Sequence, residues 1–295
     1  MAEIVLTAGV PHTPLLWRLL REPIPEDLQT VASNFDRFRE LLAIARPDVI
    51  VFVASDHFRQ LATSNMPAFM IGKAAEMRGT HPNEERAFGL PFVPVPGDPE
   101  AARLVLGHHE LPDGFDFAYS DEPWLDHSFM VPLLYLTPQL DVPVVPVYTN
   151  TNAPPLPSAR RFVELGRYLR TSLLGSSLRR RVAIIGTGHL AFELGGPRQF
   201  LGTSPDPEFD GLTLEWMAKG AVEEAIEACS FERLLSAGNL TFQFLNFLTC
   251  LAAAGARPAT IAEATPCRFG HEPFFAWEED EPIHDQQAHA GNRPP

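Results

Sequence analysis

Four histidines stand where an imidazole needs a reason. His12 lies in AGVPHTP, His57 in SDHF, His127 in LDHSFMVPL and His189 in GTGHLAF. His12, His57 and His189 each follow a short apolar run read as a strand, and open α/β sheets place ligand sites beyond the carboxyl ends of their strands. One histidine at such a place can simply bond a loop carbonyl. Loops after neighbouring strands converge on one edge, however, so imidazoles carried by several of them meet in a single cleft. Two neutral imidazoles from separate loops suit a divalent metal, and with one carboxylate they form the facial triad that leaves positions free on non-haem Fe(II). Competing chemistries lack their signatures. There is no HExxH helix for zinc hydrolysis and no GxSxG elbow for a nucleophilic serine. The GTG at 186–188 is too short for a dinucleotide fingerprint and reads as a tight strand-to-helix turn. His108 and His109, beside Glu110 and Pro112, read as a surface pair at a helix C-terminus. His271, His284 and His289 fall in or near a polar tail.

The elements that must position these residues follow from hydrophobic periodicity. Ile4–Thr7 is a strand candidate. Leu28–Ala45 carries apolar residues at helical spacing and stops at Arg46-Pro47. DVIVFVA, Asp48–Ala54, is a nearly continuous apolar run, as expected of a strand covered on both faces. Similar runs lie at Ala68–Ile71, Val142–Tyr148 and Val182–Gly186. Ala101–Leu106, Ser128–Leu136, Ser158–Leu174, Leu214–Cys229 and Leu240–Ala254 read as helices. This alternation predicts an α/β fold: one domain over residues 1–277, with a mostly buried central sheet flanked by helices. Residues 278–295 read as a polar, flexible tail.

Composition bounds the function classes. The chain has 295 residues, with 23 Lys and Arg against 37 Asp and Glu, a formal net charge of −14. A nucleic-acid footprint needs clustered basic residues, so none is expected. No run of about 18 apolar residues suggests a membrane span, and the N-terminus lacks the pattern of a secretory signal. Cys229, Cys250 and Cys267 are too widely spaced for a disulfide framework or a zinc ribbon. A soluble, cytoplasmic protein is the expectation. The 29 prolines are dispersed, which marks them as loop punctuation rather than a linker.

In order along the chain, PHTP, DVIVFVASDH, PAFMIG, LDHSFMVPL and GTGHLAFELGGPR resemble the class III extradiol ring-cleaving dioxygenases, from about Ala2 to Ala256. Within that family the likeness is to β (catalytic) subunits of the protocatechuate 4,5-dioxygenase type. The resemblance implies an α/β fold, Fe(II) held by two histidines and a glutamate, and opening of a catechol-type ring beside its diol by O2. It places His12 and His57 at the histidine ligands and His127 at a histidine lining the pocket. It also implies an oligomer, either of this chain or with a related or small α subunit.

Two positions depart from the family pattern. The glutamate ligand belongs to a late motif like ELxxWLxxxG. Anchored on Gly255, that pattern puts Asn246 at the carboxylate position; anchored on Phe247 in place of the Trp, it puts Gln243 there. The first register is slightly preferred, and either way an amide replaces the acid, because no Asp or Glu lies between Leu235 and Ala262. Water, an anion or Glu193 would then complete the set. The family's acid–base histidine falls in a motif like GTGGMSHQLQGPR, where this chain has Phe192, with His189 three residues earlier. The expected roles are therefore metal binding by His12, His57 and Asn246 or Gln243, and proton transfer by His189 or His127. Phe58, Phe129 and Phe192 are candidate walls of an aromatic pocket, or plain core residues. Asp56 either orients His57 or caps the following turn. A metal-poor companion subunit and another metal chemistry on the same fold remain alternatives.

Overall fold

The computed structural model describes residues 1–107, 115–199 and 201–278. Its strands in chain order are β1 (Glu3–Pro11), β2 (Val49–Ser55), β3 (Phe69–Gly72), β4 (Glu76–Gly79), β5 (Val93–Pro96), β6 (Ala118–Ser120), β7 (Trp124–Leu125), β8 (Val144–Thr149), β9 (Arg181–Gly188), β10 (Ile261–Cys267) and β11 (Gly270–Glu278). Eight of them form a mixed sheet in the order β10-β11-β1-β9-β2-β8-β3-β6. The middle four, β1-β9-β2-β8, are parallel. They are apolar in nearly every position because both faces are covered, as parallel strands require. Alternation along them divides the core. Val49, Val51, Val53, Val182 and Ile184 pack against Phe162, Leu165, Leu169, Leu248 and Leu251 on one face. Ile50, Phe52, Ala54, Ala183 and Ile185 meet Val31, Phe35, Phe38, Phe129 and Leu133 on the other.

Each face owes its cover to a pair of helices. Gln29–Ala45 and His127–Leu136 cover one, Ala159–Leu174 and Leu245–Ala253 the other. The second pair approaches backbone to backbone: a Cβ on Gly166 would lie 2.2 Å from the Thr249 carbonyl oxygen. The GTG segment uses the same device. It is not a turn but the end of β9, and a Cβ on Gly188 would lie 2.3 Å from the Gln243 carbonyl oxygen. Its glycines let the 241–253 segment lie directly on the strand.

A small sheet in the order β5-β4-β7, with the Pro82–Phe88 helix, leans over the edge where β1, β2 and β9 end. Several sequence expectations change here. Leu214–Cys229 is two helices, Pro207–Lys219 and Val222–Ala228, because Gly220 at φ 72° ends the first. The stretch 240–254 opens as a 3-10 turn, Thr241–Phe244, before Leu245–Ala253 continues as α-helix. The hairpin β10–β11 was not foreseen, and it carries His271 into the sheet, with Nδ1 2.7 Å from Asp210 Oδ2. Glu278 closes β11 rather than opening a tail. His108, His109 and Glu110, and the rest of the tail with His284 and His289, lie outside the described residues.

Candidate metal centre and active-site cavity

Strand ends deliver the imidazoles as the sequence predicts. His12 follows β1, His57 the turn after β2, and His189 the end of β9, while His127 opens the helix whose N-cap is Asp126. All four meet. The His12 ring centroid is 5.4 Å from that of His57, 5.7 Å from His127 and 4.5 Å from His189, and His57 and His127 are 4.1 Å apart. Ligand nitrogens of His12, His57 and His127 all lie within 4.8 Å of one another.

Buried carboxylates fix two of these rings. Asp126 Oδ2 accepts from the His57 backbone N–H at 2.7 Å and stands 3.0 Å from His57 Nδ1. Glu84 does the same for His127, accepting from the backbone N–H at 2.8 Å on Oε2 and facing Nδ1 at 2.8 Å with Oε1. A carboxylate accepts only, so each Nδ1 carries the proton and each Nε2 keeps its lone pair for the cluster. Gln243 Nε2 lies 3.0 Å from His57 Nε2 and donates to that lone pair.

The unsatisfied atoms point to what the cluster holds. His12 is fully buried and neither ring nitrogen has a partner; Gln243 Oε1 is buried and unpartnered too. Orphaned buried acceptors are costly and call for an occupant. Turning the Gln243 amide by a half-rotation would exchange Nε2 for Oε1 beside His57 and present an oxygen donor there. Imidazole nitrogens with one oxygen are a donor set for a first-row divalent metal, so the residues present fit one.

Protonation agrees with this. Burial, reinforced by His189, His57 and His127, holds the His12 pKa well below the usual imidazole value. Burial and the neighbouring rings push His189 down to about 3. Both stay neutral, with lone pairs free. His57 behaves oppositely: burial disfavours its cation, yet the Asp126 charge outweighs that and raises its pKa.

The amide assignment favours the second register. Asn246 is fully buried between helix and sheet, and its amide is satisfied there. Its Oδ1 accepts from Thr149 Oγ1 at 2.8 Å, while Nδ2 donates to the Thr187 carbonyl at 2.8 Å and Ser55 Oγ at 3.1 Å. The 3-10 turn ahead of the helix places Gln243, not Asn246, at His57. The other open readings divide. Asp56 caps its turn, accepting from the N–H groups of Arg59, Gln60 and Leu61. Glu193 is engaged by the Arg198 guanidinium and backbone N–H. Phe129 is core, packed on Phe52 and Tyr148, and Phe58 is 47% exposed away from the cavity. Phe192 does line the cavity and stacks on His189, with ring centroids 4.3 Å apart. Sequence reasoning missed Asp126, whose only signal was its place before His127, and Glu84, which had none.

A cavity of about 620 Å³ opens over His57, His127 and His189, walled by Phe88, Phe192, Leu240 and Phe269. A family profile described as the catalytic LigB subunit of aromatic ring-opening dioxygenase matches residues 6–278. The chain belongs to this family. Its dioxygenases are metal-dependent. A Rhodococcus sp. protein named 2,3-dihydroxyphenylpropionate/2,3-dihydroxicinnamic acid 1,2-dioxygenase is 29% identical over 235 residues, covering 79% of this chain and 69% of its own length. Proteins of the same name from Rhodococcus jostii RHA1 and Escherichia coli K12 are 31% and 32% identical over 183 residues. The matched region spans only 54% of each of those relatives and 62% of this chain. A crystal structure of an uncharacterized protein from Escherichia coli K12 superposes with a TM-score of 0.59 at 16% identity, over 92% of this chain and 99% of that one, and shows the fold alone.

Proposed function

We propose that this protein cleaves the ring of a catechol-type diol with O2 on the extradiol side, using Fe(II) held by His12, His57 and Gln243. The observation that carries this reading is His12: a fully buried imidazole with both nitrogens unpaired, clustered with two imidazoles whose Nδ1 atoms are held by carboxylates. When bound, the iron would supply the positive charge that acidifies the diol and the redox partner that lets O2 react with the ring.

The remaining chemistry belongs to the chain. Asp126 keeps His57 in the Nδ1–H tautomer and strengthens it as a ligand. Glu84 holds His127 likewise, with Nε2 turned to the cavity floor. His189, held neutral by burial, takes a proton from the diol. Its low basicity is no obstacle, because the diolate left behind is an anion a few Å away and favours the imidazolium. The stacked Phe192 ring fixes the orientation of His189, and the imidazolium returns its proton as the ring opens. Phe88, Leu240 and Phe269 keep bulk water from the reacting face.

Metal analysis of anaerobically reconstituted protein, with O2 uptake on simple catechols, tests the reading. Stoichiometric iron and O2 consumption support it. Protein that takes up no iron supports instead a companion subunit, the reading that Gln243 in place of an acid favours.

A further inference from the structure

Beyond the histidines, the cavity wall is almost wholly carbon. Leu15, Phe88, Phe192, Leu194, Leu240 and Phe269 form it, and Leu15 and Leu194 remain 41% and 52% exposed at the mouth. A catechol has about eight heavy atoms and at interior packing density fills on the order of 130 Å³. The cavity holds about 620 Å³. Space therefore remains for a substituent larger than the ring itself.

Among the described residues, this wall offers a carboxylate no uncommitted positive charge beyond the histidines. Thr13 Oγ1 donates to Glu272 at 2.7 Å, and Gln199 Oε1 accepts from the Gly195 N–H at 2.6 Å. Arg268 is the only Lys or Arg among the described lining residues. Its guanidinium grips Asp27 with two bonds, Nε to Oδ2 at 2.9 Å and Nη2 to Oδ1 at 2.6 Å, and its backbone N–H adds a third at 3.1 Å. The cavity thus meets a neutral pair, not a free cation. A carboxylate on the substrate would leave water for an apolar wall without a counter-charge, which is costly.

We propose that this cavity selects diols bearing an uncharged apolar substituent, aryl or alkyl, over diols bearing a carboxylate side chain, and that the Arg268–Asp27 pair sets this preference. The proposal rests on the extradiol reading above. It separates this chain from relatives whose names specify a phenylpropionate and a cinnamic acid diol.

The test compares 3-phenylcatechol with 3-(2,3-dihydroxyphenyl)propionate on the Fe(II)-reconstituted protein. Anaerobic calorimetry reads binding and an oxygen electrode reads turnover. The expected result is at least tenfold tighter binding and tenfold higher kcat/KM for the phenyl diol. Asp27→Asn, which frees Arg268, should narrow that ratio at least threefold by improving the propionate diol. Arg268→Leu should leave the ratio within threefold of the parent's. Equal or preferred use of the propionate diol overturns the proposal while leaving the extradiol reading intact. So does a tenfold loss of propionate binding in Arg268→Leu, which would make Arg268 a carboxylate receptor. If neither diol binds or supports O2 uptake, the extradiol reading fails and takes this proposal with it.

Discussion

Replacing Gln243 with glutamate should tighten metal binding, and the structure fixes the scale. Gln243 is fully buried, with its amide 3.0 Å from the His57 nitrogen assigned to the metal. A unit negative charge about 4 Å from a dication gains about 8 kcal/mol at an effective dielectric near 20. Taking that carboxylate out of water costs several kcal/mol. The difference leaves roughly 2–4 kcal/mol, or about 30- to 1,000-fold in Fe(II) affinity. Without metal the same charge lies fully buried away from water, so the melting temperature of the metal-free variant should drop. Added Fe(II) should then raise it further than in the parent. Asn246→Glu is the matched control. It breaks the donation to Ser55 and the Thr187 carbonyl and buries a charge with no partner. That variant should lose several kcal/mol of stability with no gain in iron affinity. Anaerobic titration with a competing chelator, plus thermal melts of all three proteins, reads both quantities. Unchanged affinity in Gln243→Glu, or a gain in Asn246→Glu, would refute the assignment of the third ligand.

Three further outcomes are expected. His12→Ala and His57→Ala should each cut bound Fe(II) sharply with the far-UV circular dichroism preserved; loss of helical signal would mean the rings serve the fold instead. Asp126→Asn keeps one acceptor for the helix cap but removes the charge and the acceptor behind His57, so metal affinity should fall about 10- to 100-fold with the melting temperature lowered by the unsatisfied His57 N–H, and an unchanged affinity would deny Asp126 its orienting role. Burial raises the Glu272 pKa from 4.5 to about 7, so between those values the folded protein binds more protons than the unfolded chain, and stability should decline as pH rises through that window; the full loss is about 3 kcal/mol, and urea melts at pH 5 and pH 8 should show that Glu272→Gln, whose side chain can still accept from Thr13, lacks it.

What the sequence determined was whatever depends on local pattern. Short apolar runs rich in β-branched residues, such as DVIVFVA, identify doubly covered strands by their length and their flanking turn residues. From those strands follow the α/β class and the loop positions of His12, His57 and His189. The family motifs add the metal chemistry, since they are contiguous in the chain. The hairpin β10–β11 escaped notice because Glu263, Pro266, Glu272 and Pro273 interrupt its apolar pattern, and only pairing with β1 makes it a strand. The tertiary structure alone decided which carboxylates steady the rings. Glu84 and His127 are 43 residues apart and meet because a small helix folds over the sheet edge. It also placed Gln243, and not Asn246, beside His57. Three residues separate them, too few for any gapless alignment to resolve, and the choice turns on one 3-10 turn packed against the glycines of β9. A contact between distant segments has no local signature, and the approach of Gln243 to His57 is such a contact.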